Sequence, residues 1–268
     1  MHGELAQLIA ISAHGSAWLA GRSGDAPPGL EQANSTFQYV RQVQFELERS
    51  LLRKPVVQSD LVGWLAEARR RGVTRLRLAV PGGSEFPDRH LISFAGTATW
   101  FAVATANDRP IEVWRPSWAV GDPDAPDRRI WDVTYRGRRS TEIAPAHVNP
   151  AAAMDRLTAA IRDAESFATA EGMDEWAAIF GAALRLADAT DPVPPYHPDM
   201  FPPTAFGRSA RHLLATATRA FVFGGMGSWN DLGFESADSN SAYERISAAL
   251  YDAVLQAFIA AVNGPLDR

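Results

Sequence analysis

The sequence predicts an α+β fold, in which a mainly antiparallel sheet packs with an N-terminal helix and a C-terminal bundle of about four helices. Between about residues 36 and 140, short runs rich in Val, Ile, Phe and Trp alternate with turn-forming residues. After residue 148, apolar residues instead recur at the three- and four-residue spacing of amphipathic helices. Strands and helices that are segregated along the chain favour α+β over a doubly wound parallel sheet.

Composition excludes several kinds of chemistry. The chain of 268 residues has no cysteine, which removes disulfides, thiolate nucleophiles and cysteine-based metal sites. Lys54 is the only lysine and does not follow a glycine, so the sequence has no P-loop for phosphate. A net charge of -5 at pH 7 lacks the basic excess that general nucleic-acid binders usually carry. We predict neither a cofactor nor a metal centre.

The sequence also indicates a cytoplasmic protein. No uninterrupted apolar run approaches the roughly 18 to 20 residues that span a bilayer. The N-terminus lacks the basic segment, apolar stretch and cleavage site of a secretory signal. Because the composition is rich in Ala and Arg, we expect a bacterial source. Because no apolar run is long enough to span a bilayer, we expect no membrane partner.

The first half of the chain is predicted to contain one helix and then strands with a second helix inserted among them. Leu5, Leu8 and Ile9 lie at helical spacing in a segment from about residue 3 to 20. The inserted helix has Ser59 as its expected N-cap and Gly72 as its end. Strands are predicted in "STFQYVRQVQFELE", "TRLRLAV", "HLISFAG", "TWFAVATA", "PIEVWRP" and "RRIWDVTYRG", with a hairpin turn at Asn107-Asp108.

Four helices are predicted in the second half. Asn149 followed by Pro150 is a favourable helix start, because the side chain caps the first turn and proline suits its first position. Apolar stripes define the helices that follow, and a Pro-rich connector (residues 188–207) separates the second from the third. A helix end and a glycine-rich stretch precede the last helix, which starts near Ser236 or Asp238.

We expect residues 1–268 to form a single compact domain. A sub-division into a sheet part, residues 1–148, and a helical part, residues 149–268, is the alternative. The first helix can pack with the C-terminal helices, which would prevent the two parts from folding independently.

The first candidate site is the Gly/Trp loop (residues 224–231, "GGMGSWND"). Glycines give the chain unusual freedom here, and an aromatic ring with polar neighbours is typical of ligand contacts. The candidate ligand-binding residues are Gly224, Gly225, Gly227, Trp229 and Asn230. The structural interpretation is a helix end and a tight turn, with Gly224 as the left-handed residue that ends the helix.

The second candidate site is the histidine motif of the connector. His197 and Asp199 lie two residues apart between stiffening prolines, so an extended backbone would present both side chains on one side. His197 is the candidate general base, with Asp199 or Asp231 as the carboxylate that orients it. The alternative is an ordered loop that covers the helices, with Tyr196 and Phe201 packed inward.

Two further groups of residues carry weaker signals. His212 lies near Arg208 and Arg211, an arrangement that suits an anion but is also typical of a solvated helix face. His14 is expected to be a core or helix-end histidine. Arginines along the predicted sheet suit either a phosphate-binding surface or a charged sheet edge that discourages unwanted pairing.

These observations leave three hypotheses about function. The preferred one is a binding protein that recognises a protein partner or a small molecule through the Gly/Trp loop and the Pro-rich connector. The alternative is a hydrolase or transferase that uses the His/Asp pair, although the sequence leans away from an enzyme because no complete catalytic constellation appears. The third is nucleic-acid binding through the Arg-rich sheet, which the net charge disfavours. Homo-oligomerisation is open in all three.

Overall fold

The computed structural model is α+β, as predicted, with an N-terminal helix, a six-stranded sheet and a C-terminal helical region. It describes residues 3–48, 54–80, 86, 88–90, 100–143, 148–202 and 204–267. The predicted strand "HLISFAG" lies, except for its first residue, outside the described residues.

The sheet is mixed but mainly antiparallel. Its strands lie in the order β2-β1-β6-β5-β4-β3, and every neighbouring pair is antiparallel except β1 with β6. Because β1 and β6 are parallel neighbours, the chain between the first strand and the last forms a long crossover connection. The strand bounds are β1 Val40–Leu47, β2 Val56–Gln58, β3 Arg75–Ala79, β4 Phe101–Ala106, β5 Arg109–Val120 and β6 Trp131–Arg139.

Two helices of the C-terminal region begin where the sequence predicts, each after a capping side chain. Asn149 accepts hydrogen bonds from the amides of Ala151 and Ala152, and Ser236 caps the last helix in the same way. The helix bounds are α1 Gly3–Leu19, α2 Leu30–Ala33, α3 Leu61–Arg70, α4 Pro150–Ala170, α5 Asp174–Asp188, α6 Arg208–Ala220 and α7 Ala237–Asn263. Short 3₁₀ turns occur at Ser35–Phe37 and Trp229–Asp231.

Local details differ from the prediction in two places. Asp60, and not Ser59, caps α3, because its carboxylate accepts from the amide of Gly63 at 2.6 Å. The expected strand that starts near residue 35 begins as a 3₁₀ turn and becomes β1 only at Val40. By contrast, Gly72 ends α3 with the expected positive φ, of 87°.

Helix α1 lies at the centre of the molecule and is buried on nearly all sides. It packs on β3 and also contacts α3 and α7. Small residues permit this close approach: a Cβ added at Gly15 would lie only 2.6 Å from Cδ1 of Leu76. Because α1 contacts both the sheet and the helical region, it joins the two halves of the chain.

Side chains from α1 and α7 complete the edge strand β3. Ser16 donates to the carbonyl of Leu76 and accepts from its amide, at 2.8 and 3.0 Å. Asn263 makes the equivalent pair of bonds with the backbone of Leu78, at 2.8 and 2.9 Å. The edge of the sheet is therefore covered by helices and not left open to another strand.

Helix α7 is long and apolar enough to cross a membrane, judged by length and composition only. The sequence analysis sought uninterrupted apolar runs and so missed it, because small and polar residues are interspersed along this helix. In the fold, 78% of its most apolar window is buried within the protein, as in the core helices of soluble proteins that pass the same test.

Candidate functional site

The Gly/Trp loop contributes its tryptophan to the core. Trp229 is 0% exposed, and its ring lies 5.0 Å from Phe180 and 5.3 Å from Trp176, measured between centroids. Its ring N–H donates to Oγ of Ser247 at 2.8 Å. A ligand role for Trp229 stays a prediction, and the described surroundings of the ring are those of a core residue.

Hydrogen bonds within the loop explain its glycines and its aspartate. Oδ2 of Asp231 accepts from the amides of Gly227 and Ser228 at 2.5 and 3.3 Å, while Oγ of Ser228 accepts from the amide of Asn230. Helix α6 already ends at Ala220 and Gly224 has no positive φ, so Gly224 is not the left-handed residue that ends the helix; Gly227, with a φ of 80°, serves the following turn. The local geometry favours the structural interpretation of this loop.

Asn230 anchors the loop to a short segment before the fourth strand. Its Oδ1 accepts from Arg89 at 2.7 Å, and its Nδ2 donates to the carbonyl of Arg89 at 2.8 Å. The Arg89 guanidinium is buried and also donates to Glu244 at 2.6 Å. Only Met226, at the tip of the loop, projects fully into solvent among the large apolar side chains there.

The histidine motif of the connector makes long-range contacts with the N-terminal region. The carboxylate of Asp199 accepts from the amide of Ser35 at 2.7 Å and from the Ser35 hydroxyl in a short hydrogen bond. Nδ1 of His197 lies 3.0 Å from the same hydroxyl oxygen. Ser35 is therefore the group that joins His197 to Asp199.

The backbone of Asp199 is held as firmly as its side chain. Its carbonyl oxygen accepts from Nε2 of His14 at 2.9 Å and from Nδ2 of Asn34 at 2.7 Å. These five residues form what we call the Asp199 cluster (His14, Asn34, Ser35, His197 and Asp199). Sequence reasoning missed three of its members as partners, because more than 160 positions separate them from the connector and no local pattern marks them.

Proton positions in the cluster follow from its acceptors. The Ser35 hydroxyl has one proton with which to donate a hydrogen bond. It donates to the Asp199 carboxylate, which can only accept when it is ionised. Nδ1 of His197 must then donate to the Ser35 oxygen. Burial lowers the pKa of His197 and of His14, although Asp199 opposes the shift in both cases. Both rings are therefore neutral at pH 7.

A cavity of about 300 Å³ lies between the connector and helices α1 and α6, and we call it the connector cavity. Prolines and other apolar side chains form most of its wall, and three polar residues line it as well: His14, Asp199 and Arg211. No residue of the Gly/Trp loop lines it, so the two candidate sites of the sequence analysis do not meet there. The apolar lining consists of Pro192, Val193, Pro194, Pro198, Phe201, Pro202 and Leu214.

An adjoining cleft of about 510 Å³ is richer in charge, and we call it the arginine cleft. It shares Pro192 and Arg211 with the connector cavity. Its other charged residues are Arg22, Asp191, Arg208 and Asp267. His212 lies in its wall as a neutral ring, because Nδ1 donates to the carbonyl of Ala187 at 2.8 Å and Nε2 accepts from Arg208 at 3.3 Å.

Three arginines on or beside the sheet are engaged within the protein. Arg71 forms a two-pronged ion pair with the buried carboxylate of Glu112, at 2.7 and 3.0 Å. Arg75 and Arg77 donate to carbonyl oxygens at the C-terminal end of α7, where positive charge is favourable. Burial, and secondarily Arg77, lowers the pKa of Arg75 to about 10. These three arginines are committed within the protein, whereas Arg136, Arg138 and Arg139 of β6 are exposed, so nucleic-acid binding through the sheet stays a prediction.

Within the described parts of the chain, no group of three or more His, Asp or Glu residues is arranged to hold a metal ion. The aspartates that follow β5 instead bond to their own turn. Asp122 accepts from the amide of Asp124, and Asp127 accepts from that of Arg129.

Comparisons of the chain with protein-family models, with curated proteins and with solved structures found no match. Any functional conclusion therefore has to come from the geometry of the sites themselves.

Proposed function

We propose that the protein is a binding protein and that the connector cavity receives a small molecule. One observation carries this proposal: an apolar cavity lies against a Pro-rich segment whose backbone is fixed by side chains from elsewhere in the chain. Its volume of about 300 Å³ is at the lower end of the range of ligand pockets. A mainly apolar wall with a few polar groups is the usual composition of such pockets.

Preorganisation favours a binding role for this cavity. Prolines at 192, 194, 198 and 202 restrict the backbone of its wall, and the Asp199 cluster fastens the same wall to α1 and to the Ser35–Phe37 turn. A wall that is already ordered loses little conformational entropy when a ligand enters. His14 and Arg211 supply polar contacts that would orient the ligand.

The proposal is tested with N-phenyl-1-naphthylamine, a neutral aromatic probe whose fluorescence rises in an apolar site. Val193 lines the cavity and is 53% exposed, so Val193→Trp should narrow the cavity without disturbing the core. Val57 on β2 is 51% exposed and lies outside the cavity, which makes Val57→Trp a matched control. We expect Val193→Trp to weaken probe binding by about tenfold, and Val57→Trp to leave it unchanged.

Equal probe affinity in both variants, or no binding to the wild-type protein, would overturn the proposal. Thermal unfolding of each variant checks that the tryptophan has not altered the fold. Native mass spectrometry of the protein purified from its own host would then identify the natural ligand.

The hydrolase or transferase alternative has one observation in its favour, the contact of Ser35 with both His197 and Asp199. A serine nucleophile needs a base that accepts its proton. Here the Ser35 hydroxyl donates its hydrogen bond to the Asp199 carboxylate, and the His197 imidazole donates to the Ser35 oxygen. His197 therefore does not act as a base toward Ser35. Hydrolysis of p-nitrophenyl acetate that disappears in Ser35→Ala would favour the enzyme over the binding protein.

A further inference from the structure

We propose that the ligand is a small organic anion whose apolar body fills the connector cavity and whose anionic group lies in the arginine cleft beside Arg22. This inference rests on the proposed function and specifies the class of ligand. The two spaces are neighbours, since Pro192 and Arg211 line both of them. A molecule with one apolar end and one charged end would match the chemistry of the pair.

Arg22 is held in place by the end of α1. Its amide donates to the carbonyl of Ala17 at 2.7 Å, and the amide of Gly21 donates to that of Trp18 at 2.9 Å. Together with the positive φ of Gly21, these bonds form a Schellman motif, which fixes the direction of the chain after the helix. Residue 22 is therefore positioned by the core helix, although its side chain is exposed.

The guanidinium of Arg22 makes no hydrogen bond or ion pair within the part of the chain that the structure describes. The other two arginines of the cleft are engaged: Arg208 donates to His212, and Arg211 contacts Asp191 at 3.4 Å. Among the described residues that line this cleft, Arg22 is thus a cation whose hydrogen-bonding fork is open to a ligand.

Charge balance in the cleft also favours an anion. Three arginines face two carboxylates, Asp191 and Asp267, and His212 adds no charge because its ring is neutral. An oxyanion would neutralise the remaining positive charge and accept two N–H groups of a guanidinium at once. Carboxylates, sulfonates and phosphate monoesters all supply such oxygens.

The test compares two probes that differ only by one sulfonate group, which carries the negative charge. N-phenyl-1-naphthylamine is neutral, and 8-anilino-1-naphthalenesulfonate is the same molecule with a sulfonate attached. We expect the wild-type protein to bind the sulfonate about tenfold more tightly than the neutral probe, because a charge-assisted hydrogen bond is added. We also expect this preference to shrink as NaCl is raised, since the contact is partly exposed.

Arg22→Gln should abolish most of the preference for the sulfonate, measured as the ratio of the two affinities. Arg162→Gln is the matched control. Arg162 is an exposed arginine on α4 and does not line the cleft, so this substitution removes the same charge at a distant place. That variant should keep the wild-type ratio. Equal affinity of the wild-type protein for the two probes, or an unchanged ratio in Arg22→Gln, would overturn this inference.

The outcomes distinguish this inference from the proposed function. If the neutral probe binds and Val193→Trp weakens it, but the sulfonate brings no gain, only the anionic ligand class is wrong. If Val193→Trp affects neither probe, the connector cavity is not the binding site and both proposals fail.

Discussion

At the scale of single residues, Asp199 has the most consequential contacts in the candidate site. Its carboxylate accepts from the amide and hydroxyl of Ser35, and its carbonyl accepts from two side chains, so one residue fastens the Pro-rich connector to two earlier segments. The structural alternative, an ordered loop that covers the helices, fits these bonds and the burial of Phe201, but the expectation that Tyr196 packs inward is wrong, since Tyr196 is 49% exposed. They also hold the wall of the connector cavity in place.

Asp199→Ala should therefore lower the free energy of unfolding by about 1–2 kcal/mol, the usual cost of losing a capping side chain. The matched control is Asp191→Ala in the same connector, because the contact of Asp191 with Arg211 is exposed and long, at 3.4 Å. That change should stay within about 0.5 kcal/mol. Urea unfolding measures both, and equal losses would show that the Asp199 cluster contributes nothing special.

His14 makes the stability depend on pH. Burial lowers its pKa in the folded protein below 6.5, so the unfolded chain takes up the proton first as the pH falls. Stability from this group is fully present above pH 6.5 and is lost as the pH falls through the lowered folded pKa. His14→Gln should reduce the difference in unfolding free energy between pH 7.5 and pH 5.5. A pH dependence identical to that of the wild type would contradict this assignment.

At the scale of elements, the Gly/Trp loop illustrates how composition suggests a ligand site where the fold builds a turn. Its Ser228 and Asp231 form a capping box, and its tryptophan packs against helices α4, α5 and α7. The burial of an aromatic ring depends on what those helices place around it, and the eight loop residues do not encode that. The same limit explains α3, where the choice between Ser59 and Asp60 as N-cap depends on backbone geometry.

Trp229→Ala should destabilise the protein by about 3–5 kcal/mol, because it leaves a cavity and removes the bond to Ser247. Met226→Ala in the same loop should change stability by less than about 0.5 kcal/mol, since Met226 is fully exposed. Thermal and urea unfolding measure both variants. A well-folded Trp229→Ala variant that loses only ligand binding would restore the original hypothesis about this loop.

At the scale of the whole molecule, α1 and α7 join the sheet to the helical region. Ser16 and Asn263 complete the backbone bonding of β3 from two helices that lie at opposite ends of the chain. The backbone groups of Leu78 in the edge strand therefore depend on Asn263 of the helical region for their partners. This arrangement supports the expectation of one compact domain over the sub-division at residue 148.

We accordingly predict a single cooperative unfolding transition, in which far-UV circular dichroism and tryptophan fluorescence change together. A fragment of residues 149–268 should not fold by itself, because it would expose the face of α7 that α1 and β3 cover. Two separate transitions, or a fragment that melts at the temperature of the intact chain, would show that the halves are independent.

Much of the fold was predictable, because helix and strand periodicity is a property of neighbouring residues. Asn149 and Gly72 mark element ends through local backbone chemistry, and the structure places them as expected. The candidate site was predictable only in part: the sequence indicated His197 and Asp199, whereas Ser35 and His14 carry no local signal. Their contacts depend on how distant segments pack.

By itself, the sequence determined the α+β class, the positions of most helices and strands, and the absence of cysteine and P-loop chemistry, since each follows from composition or from spacing along the chain. Only the tertiary structure decided that Trp229 is a core residue, that Ser35 bonds to the connector, and that an apolar cavity adjoins a cleft lined by arginines. Burial and hydrogen bonding between residues more than a hundred positions apart are set by packing, which no short stretch of sequence contains.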